Sequence, residues 1–391
     1  MTGRRDFDIM RSMNTNRRQF LGGALAAGAW AALPSDLFAE ESRPLKFLVM
    51  TDHHVESDWI QSHGAKRGQP VYTCWKPGDH AALTETYRFI NSEPYCRDAS
   101  LALFCGDQIN TGYDYLKDDM AAEMVRYHRT LESLDLHAKT LGRTADLNFT
   151  AAPWSCRQNL GKGGKPYDVT PPPPASRVIA IQGNHDTGVR EFYRDCAFTA
   201  GDVRFITFFA AYVGLPAPRP GVYVSTAKIA DQTIAFIEKE MAAAAADPSI
   251  RHIVLASHWA IADKGKDFVC PIIGACKENG MSENRDRLLA LCEKYGCDLF
   301  INGHEHNGRY PVGKVGNLHD INCGTPVSAP LPAGHPNEKS RGAFAMVEIH
   351  PDKALFHVYS RAAVKEADGK VVLDMPPRRL FTREIPLKPI R

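Results

Sequence analysis

The chain has 391 residues, of which 44% are hydrophobic, enough to fill the core of one large domain or two ordinary ones. Its 47 lysines and arginines nearly balance its 45 aspartates and glutamates, so bulk charge gives no argument for nucleic-acid binding. The ten cysteines include no C-x-x-C pair, which disfavours a zinc site built from cysteines.

The first 39 residues are predicted to be an export signal that lies outside the fold. Arg17 and Arg18 precede a short run, 21–33, that is rich in alanine and glycine. This pattern resembles a twin-arginine signal, although Asn16 stands where serine or threonine is commoner. The resemblance implies the twin-arginine export machinery as a partner and a periplasmic or secreted mature protein. The run is too short and small-sided for a stable membrane span; an amphipathic tail or a retained anchor is the alternative.

Five apolar runs along the chain end in polar residues of the kinds that bind metals. Each run is predicted to be a buried strand. A single aspartate or histidine after a strand is usually structural. Five such stretches predict one shared metal site, because ligands of open α/β sheets lie at the carboxyl ends of the strands. The stretches are Phe47–Met50 before Asp52 and His54, Leu101–Cys105 before Asp107, Val178–Ile181 before Asn184, Ile253–Ala256 before His258, and Leu299–Asn302 before His304 and His306.

The rest of the chain alternates predicted helices with further strands. Helices are expected near 79–92, 114–141, 228–246 and 283–295, the third capped by Ser225 or Thr226. Further strands are expected near 203–209, 317–323, 343–349 and 354–360. Strands that alternate with helices indicate βαβ units and a layered α/β fold.

Three segments between these elements are predicted to be irregular. Residues 55–80 follow the first predicted ligands and form either a lip over the site or surface packing. The polar insertion 142–176 is expected to be a flexible flap, and its glycine-lysine stretch at 161–165 lacks the spacing of a Walker loop. A third segment carries Cys270 and Cys276, a candidate disulfide in an oxidising compartment.

The motifs D-x-H, G-D, G-N-H-D, S-H and G-H-x-H together resemble those of the calcineurin-like metallophosphoesterase superfamily. The resemblance covers the chain from about Leu45 to His306 and is specific for the superfamily, although it says little about the substrate. It implies an α/β fold, a four-layer sandwich in which helices flank two mixed β-sheets, formed by residues 43–391.

The resemblance also implies a pair of divalent metal ions, and the mixed nitrogen and oxygen ligands favour manganese, iron or zinc. Asp107 matches the carboxylate that bridges the two ions. His185 matches the proton donor, and Asn110 matches a residue that orients this donor. The remaining ligand positions are matched by Asp52, His54 and His306 for the first ion and by Asn184, His258 and His304 for the second.

On this resemblance the chain is expected to hydrolyse a small phosphomonoester or phosphodiester. A metal-bridging hydroxide attacks phosphorus and His185 acts as general acid. A hydrolase of pyrophosphate bonds with the same site and a non-catalytic metal-binding scaffold are the alternatives. Asn110 replaces the tyrosine of purple acid phosphatases, and Gln182 replaces an arginine of Ser/Thr protein phosphatases, so both classes are disfavoured.

Two residues beside the predicted ligands are interpreted as structural. His53 occupies the variable position of D-x-H, so it should point away from its neighbours and pack in the interior. Asp186 either supports the ligands or, as the preferred interpretation, caps a following helix. Glu305, between two predicted ligands, is compatible with either kind of role.

Overall fold

The computed structural model describes most of the chain from Pro44 onward. The described residues are 44–55, 79–109, 117–132, 134, 147–156, 167–174, 176–186, 189, 191–215, 223–261, 276–304, 307–325, 344–360, 363–365, 371–373 and 377–390. The expected signal at 1–39, Asn110, Cys270, Glu305 and His306 lie outside them, as does the side chain of Cys276. No helix within these ranges is both long and apolar enough to cross a membrane.

Strands outnumber helices among the described residues. The helices are α1 (Asp79–Ser92), α2 (Pro94–Arg97), α3 (Lys117–Glu132), α4 (Asp231–Ala246) and α5 (Arg285–Tyr295). The strands are β1 (Leu45–Met50), β2 (Leu101–Cys105), β3 (Thr150–Ala151), β4 (Trp154–Cys156), β5 (Tyr167–Val169), β6 (Val178–Ile181), β7 (Cys196–Ala200), β8 (Val203–Thr207), β9 (Ala210–Leu215), β10 (Tyr223–Ile229), β11 (His252–Ala256), β12 (Cys276–Glu283), β13 (Leu299–Asn302), β14 (Asn307–Val315), β15 (Leu318–Gly324), β16 (Phe344–Ile349), β17 (Lys353–Ser360), β18 (Ala363–Lys365), β19 (Val371–Leu373) and β20 (Arg378–Pro386).

Two large mixed sheets contain most of these strands. Within the described residues, one sheet has the order β20-β17-β16-β1-β2-β6 and the other the order β14-β15-β13-β11-β8-β7-β3. In the first sheet β1, β2 and β6 run parallel, whereas β1, β16, β17 and β20 pair antiparallel in turn. In the second sheet β8, β11, β13 and β15 run parallel. The parallel strands of each sheet therefore end at one edge, which is where the predicted ligands follow them.

The alternating side chains of β1 show how the layers are held together. Phe47 and Val49 point into the core between the sheets, where the ring of Phe47 meets that of Phe205 edge to face at 5.1 Å. Leu48 and Met50 point the other way and pack with buried residues of α1 and α3. A third buried cluster joins the outer face of the second sheet to α4 and α5. The layers are thus helix, sheet, sheet and helix, which confirms the predicted four-layer α/β sandwich.

The third predicted helix begins later than expected. Residues 223–229 form β10, which pairs with β9 and β12, so α4 begins only at Asp231. Ser225 and Thr226 consequently lie inside a strand, and the prediction that one of them caps the helix is wrong. The N-cap residue is Ala230, which makes no side-chain capping hydrogen bond.

The segment from 114 to 176 is also more divided than expected. Helix α3 ends at Glu132, and Leu134 packs in the core without being helical. Within the insertion at 142–176 the structure describes three short strands, β3, β4 and β5. Strand β3 pairs with β7 at the edge of the second sheet. This part of the insertion is therefore attached to the fold.

Candidate metal centre

The loops that follow β1, β2, β6, β11 and β13 meet at one place. The backbone N–H of Asp52 donates to the carbonyl of Gly106 at 2.9 Å, and that of Gly303 donates to the carbonyl of His258 at 3.0 Å. One contact joins the two sheets directly, because the backbone N–H of His304 donates to Oδ2 of Asp52 at 2.9 Å. Loops that are far apart in sequence are thus fixed against one another.

Asp107 lies at the centre of this arrangement. Its Oδ2 atom is 3.1 Å from Nε2 of His258, 3.5 Å from Nε2 of His54 and 3.9 Å from Nε2 of His185. Its Oδ1 atom accepts the backbone N–H of His185 at 2.8 Å. One carboxylate therefore faces imidazoles from three loops, which is the position that a shared metal ligand requires.

The ring of His258 is oriented by its own backbone contact. Its Nδ1 atom is 2.8 Å from the carbonyl oxygen of Cys105, and because a carbonyl only accepts, Nδ1 carries the hydrogen. Nε2 is left to face the site, 3.1 Å from Oδ1 of Asn184 and 3.2 Å from Nδ1 of His304. A hydrogen bond from the remote ring nitrogen is the usual way in which metal-binding histidines are oriented.

Two groups of donor atoms share Asp107. One contains His54, Asp107 and His185, and the other contains Asp107, His258 and His304, with the atoms of each group within 4.8 Å of one another. Asp52 lies beside the first group, with Oδ1 3.7 Å from Nε2 of His54. The chemistry and spacing of these donors therefore suit two neighbouring divalent cations.

His185 is more exposed than three other members of these groups, and His304 is partly exposed as well. The side chain of His185 is 18% exposed, whereas those of His54, Asp107 and His258 are 2–3% exposed. Distance alone would allow His185 to bind a cation, but an open ring is also the one that a substrate can reach. The family resemblance predicts that His185 is a proton donor, and that role stays a prediction.

Seven of the predicted site residues come together in this way. They are Asp52, His54, Asp107, Asn184, His185, His258 and His304. Asn110 and His306 lie outside the described residues, and their roles stay predictions.

Four of the predicted ligands have a backbone in the left-handed region. The angle φ is 55° at Asp52, 43° at His54, 52° at Asp107 and 71° at His304. Among the described residues, the other non-glycine positions with positive φ are two asparagines. Such conformations cost about 1–3 kcal/mol each and persist where the surrounding structure imposes them, commonly at functional sites. These loops therefore aim their side chains at the expense of local stability.

Asp186 ties two of the loops together. Its Oδ2 atom accepts the backbone N–H groups of Gly183 at 2.9 Å and Gln108 at 3.1 Å, and its Oδ1 atom accepts that of Ile109 at 3.0 Å. All three donors precede Asp186 in the chain, which favours the alternative prediction that Asp186 supports the ligands. The carboxylate fixes the loop of Asp107 against the loop of Asn184 and His185.

The charges in the site perturb one another. Burial alone would raise the pKa of Asp107, but the charges of His258 and His185 hold it below its ordinary value. Burial alone would lower the pKa of His258, but the charge of Asp107 and the hydrogen bond to it raise that pKa to about 9. Burial and the charge of Asp107 raise the pKa of Asp186 to about 7, against the three N–H groups that favour its ionised form.

A cation that binds Nε2 of His258 has to displace a proton at neutral pH, so metal binding should weaken as the pH falls.

Two threonines support Asp52, and sequence reasoning missed both. The hydroxyl of Thr51 is 2.6 Å from Oδ2 of Asp52 and 3.0 Å from the carbonyl of Cys105. The hydroxyl of Thr325 donates to the backbone carbonyl of Asp52 at 2.6 Å. Thr51 could have been found because it precedes the ligand, whereas Thr325 lies 273 residues away and has no local signal.

His53 packs in the interior, as its position in the motif predicts. Its ring is 4.5 Å from that of Phe104 and 6.4 Å from that of Tyr87, in the cluster beneath α1. Burial lowers the pKa of His53 to about 3. In the unfolded chain this ring would have an ordinary pKa of 6.5. Between pH 6.5 and about 3 the folded protein therefore keeps the ring neutral, whereas the unfolded chain protonates it.

We expect His53 to contribute to acid lability. Its stabilising contribution is complete above pH 6.5 and is lost as the pH falls from 6.5 toward 3, by about 1.4 kcal/mol per pH unit. Phenylalanine does not titrate. The free energy of unfolding of a His53→Phe variant should therefore fall less steeply over this range than that of the wild type, by about 1.4 kcal/mol per pH unit. Urea unfolding of the chelator-treated protein between pH 6.5 and 4.5 measures the slopes. Equal slopes for the two proteins would contradict the expectation, and above pH 7.5 the two should run parallel.

Gly303 lies where the chain has no room for a side chain. A methyl group on its Cα would overlap Oγ1 of Thr51 and lie 2.9 Å from Oδ2 of Asp52. We expect Gly303→Ala to destabilise the protein by about 1–3 kcal/mol through overpacking and to weaken metal binding, because it displaces Asp52. Isothermal titration with Mn²⁺ and thermal unfolding measure the two effects.

Gly201→Ala is the matched control for this change. Its φ is +59° and nothing lies within 4 Å of the added methyl group, so the cost of about 1–2 kcal/mol comes from the backbone alone. It should lower stability and leave metal binding unchanged. Unaltered metal binding in Gly303→Ala would show that Asp52 tolerates the displacement.

Comparison with known proteins gives a family description. A family model described as calcineurin-like phosphoesterase matches residues 45–308. No curated protein matches the chain. Among solved structures, GAP50, the anchor in the inner membrane complex of Plasmodium, is 12% identical, with coverage of 88% of this chain and 90% of its own and a TM-score of 0.42.

Two other solved structures are similarly distant. Vps29 of Chaetomium thermophilum is 10% identical, with coverage of 89% of this chain and 98% of its own and a TM-score of 0.34. PhoD is 8% identical, with coverage of 85% of this chain and 68% of its own and a TM-score of 0.40. At these identities and TM-scores the similarities carry no argument about activity or partners.

Proposed function

The chain belongs to the calcineurin-like phosphoesterase family, and we propose that it hydrolyses a phosphomonoester or phosphodiester with two divalent metal ions. The observation that carries the proposal is the sharing of Asp107 between two groups of donor atoms. Asp52 and Asp107 supply two negative charges, fewer than the charge of two dications. A loaded site would stay positive and attract a phosphate anion.

The proposal assigns a role to each side chain. Bound cations would supply Lewis acidity and an activated water for attack at phosphorus, and manganese, iron or zinc suit these ligands. The ligand assignment is Asp52, His54 and His306 for one cation, Asn184, His258 and His304 for the other, and Asp107 for both.

His185 is the proposed proton donor to the leaving group. Its backbone N–H is held by Oδ1 of Asp107 at 2.8 Å, so the donor and the shared ligand form one unit. Its imidazole is partly open, so a substrate can reach it, and an imidazole is a common general acid in catalysis. In the proposal Asn110 orients this ring.

Metal analysis and hydrolysis of two simple esters test the function. Purified protein should contain about two metal equivalents and cleave nitrophenyl phosphate or bis(nitrophenyl) phosphate. A chelator should abolish this activity, and Mn²⁺, Fe²⁺ or Zn²⁺ should restore it. Protein that lacks both metal and activity would overturn the proposal. Metal without any hydrolysis would indicate a binding scaffold, and a panel with nucleotide-sugar pyrophosphates would identify a pyrophosphate hydrolase.

We also propose that residues 1–39 direct export by the twin-arginine route, giving a periplasmic or secreted protein. Replacing Arg17 and Arg18 by lysine should retain the full chain in the cytoplasm, because the pair before the apolar run is what the machinery reads. Cell fractionation with immunoblotting measures the distribution. The same replacement of Arg4 and Arg5, a second pair farther from the run, is the control. Identical fractionation of the two variants would contradict the proposal.

A further inference from the structure

Three polar side chains lie fully buried beneath the loops of His258 and His304. Asn302 ends β13, and Asp320 and Asn322 lie on the adjacent β15, and all three are 0% exposed. The alternate residues Ile301, Ile321 and Cys323 point into the core between the sheets, so the polar three share the opposite face. A carboxylate in such a place costs free energy unless hydrogen bonds compensate it, so its partners are informative.

Asp320 joins two segments through its two carboxylate oxygens. Oδ1 accepts a hydrogen bond from the side-chain amide of Asn302, and Oδ2 accepts the backbone N–H of Ile261 at 3.0 Å. Ile261 is three residues after His258 and Asn302 is two residues before His304. A single carboxylate thus connects the chain beyond one predicted ligand to the chain before another.

The amides continue this connection to the loop itself. Nδ2 of Asn322 lies 2.8 Å from Oδ1 of Asn302 and also donates to the carbonyl oxygen of Gly303. The N–H of Gly303 in turn donates to the carbonyl of His258 at 3.0 Å. Both peptide groups of Gly303 are therefore held, and the next residue is His304.

The direction of these hydrogen bonds follows from the carboxylate. An ionised carboxylate only accepts, so Asn302 must present its NH₂ group to Asp320 and its oxygen to Asn322. Asn322 must then donate, and its NH₂ group also reaches Gly303. The orientation of both amides therefore depends on the two accepting oxygens of residue 320.

We propose that Asp320 is a positioning residue that sets the geometry of His258 and His304 as ligands of one metal ion. Through Ile261 and Asn302 it holds the two loops at the separation in which Nε2 of His258 is 3.2 Å from Nδ1 of His304. The inference rests on the proposed metal site. It adds a residue that belongs to none of the five ligand motifs.

Exchanging the acid and the amide tests the inference. Asn302→Asp places two carboxylates together, and Asp320→Asn places two amides together, so each should weaken Co²⁺ binding about 10- to 100-fold. In the double variant, the oxygen of the new amide at position 320 accepts the backbone N–H of Ile261, and its NH₂ group donates to the new carboxylate at position 302. That carboxylate also accepts the side-chain amide of Asn322. The double variant should therefore return to within about 3-fold of wild-type affinity.

Co²⁺ affinity and the visible absorption spectrum of the bound ion are the readouts, since the spectrum reports ligand geometry. Asp195→Asn is the matched control: its buried carboxylate accepts the N–H of Phe209 at 3.0 Å and the hydroxyl of Thr233 at 2.7 Å, neither a predicted ligand. This control should lower the melting temperature and leave the Co²⁺ spectrum unchanged. If a single variant does not fold, Asn322→Ala replaces it, because that change removes the bonds of Asn322 to Asn302 and Gly303 and keeps the bond between Asn302 and Asp320.

Each result of the Co²⁺ binding experiments supports or contradicts the positioning role of Asp320. Single variants that bind Co²⁺ as the wild type does would overturn the inference, as would a folded double variant that binds no better than the singles. Hydrolysis of nitrophenyl phosphate is measured separately. Wild-type protein that binds metal but hydrolyses nothing would refute the proposed function and leave the comparison of Co²⁺ affinities valid.

Discussion

Asp107→Asn should remove bound metal and lower hydrolysis by more than about 100-fold. Losing a partner that merely orients a ligand costs about 10- to 100-fold in affinity, and Asp107, which two groups of donor atoms share, is proposed to bind metal directly. Two cations at neighbouring sites repel each other, and a neutral amide offsets this repulsion less than a carboxylate does. The amide can also present only one oxygen, whereas Asp107 uses Oδ1 for the N–H of His185 and Oδ2 toward His54 and His258.

Metal content after dialysis and the kcat/KM for bis(nitrophenyl) phosphate measure this loss. Asp195→Asn, the same chemical change at a buried carboxylate that bonds Phe209 and Thr233, should keep both metal equivalents. Circular dichroism checks that both variants are folded. An Asp107→Asn protein that keeps about two metal equivalents would refute the role of this carboxylate as the shared ligand.

The loops that form the site could be predicted because the signal is local. Asp52, Asp107 and His258 each follow a buried strand within two residues, and the carboxyl ends of parallel strands share one edge of a sheet. The predicted strands and helices along the chain indicated a layered α/β fold, and the family resemblance added the two packed sheets.

The supporting residues could not be predicted because their partners are distant. Asp186 bonds the N–H groups of Gln108 and Ile109, which lie 78 and 77 residues away, so its neighbours in sequence suggested a helix cap. Asp320 bonds Ile261 across 59 residues, and no motif marks it. Strand pairing within each sheet brings these groups together.

Strand β10 was missed for a related reason. Residues 223–229 include Ser225 and Thr226, which are common both in strands and before helices, and the short run has no decisive period. Pairing with β9 on one side and β12 on the other decides its conformation. These partners lie in other parts of the chain, so tertiary pairing overrides the local preference.

His185→Ala should lower turnover by about 100- to 10,000-fold while both metal equivalents stay bound. The ring of His185 is partly exposed, and its removal leaves Asp107, His54 and His258 in place. The loss should be larger for an alkyl phosphate than for a nitrophenyl phosphate, because an alkoxide needs a proton to leave and a nitrophenolate needs it less. Steady-state kinetics with the two substrates, alongside metal analysis of the same samples, measure both effects.

The dependence on the leaving group separates the two roles that the geometry allows for His185. A ligand would lose metal on substitution and slow both substrates alike, whereas a proton donor would keep metal and slow the alkyl ester most. His128→Ala is the matched control, since this exposed histidine pairs with Glu191 at 2.7 Å and belongs to neither group of donors. If His185→Ala loses a metal equivalent and the turnover of both substrates falls equally, His185 is a metal ligand and not the proton donor.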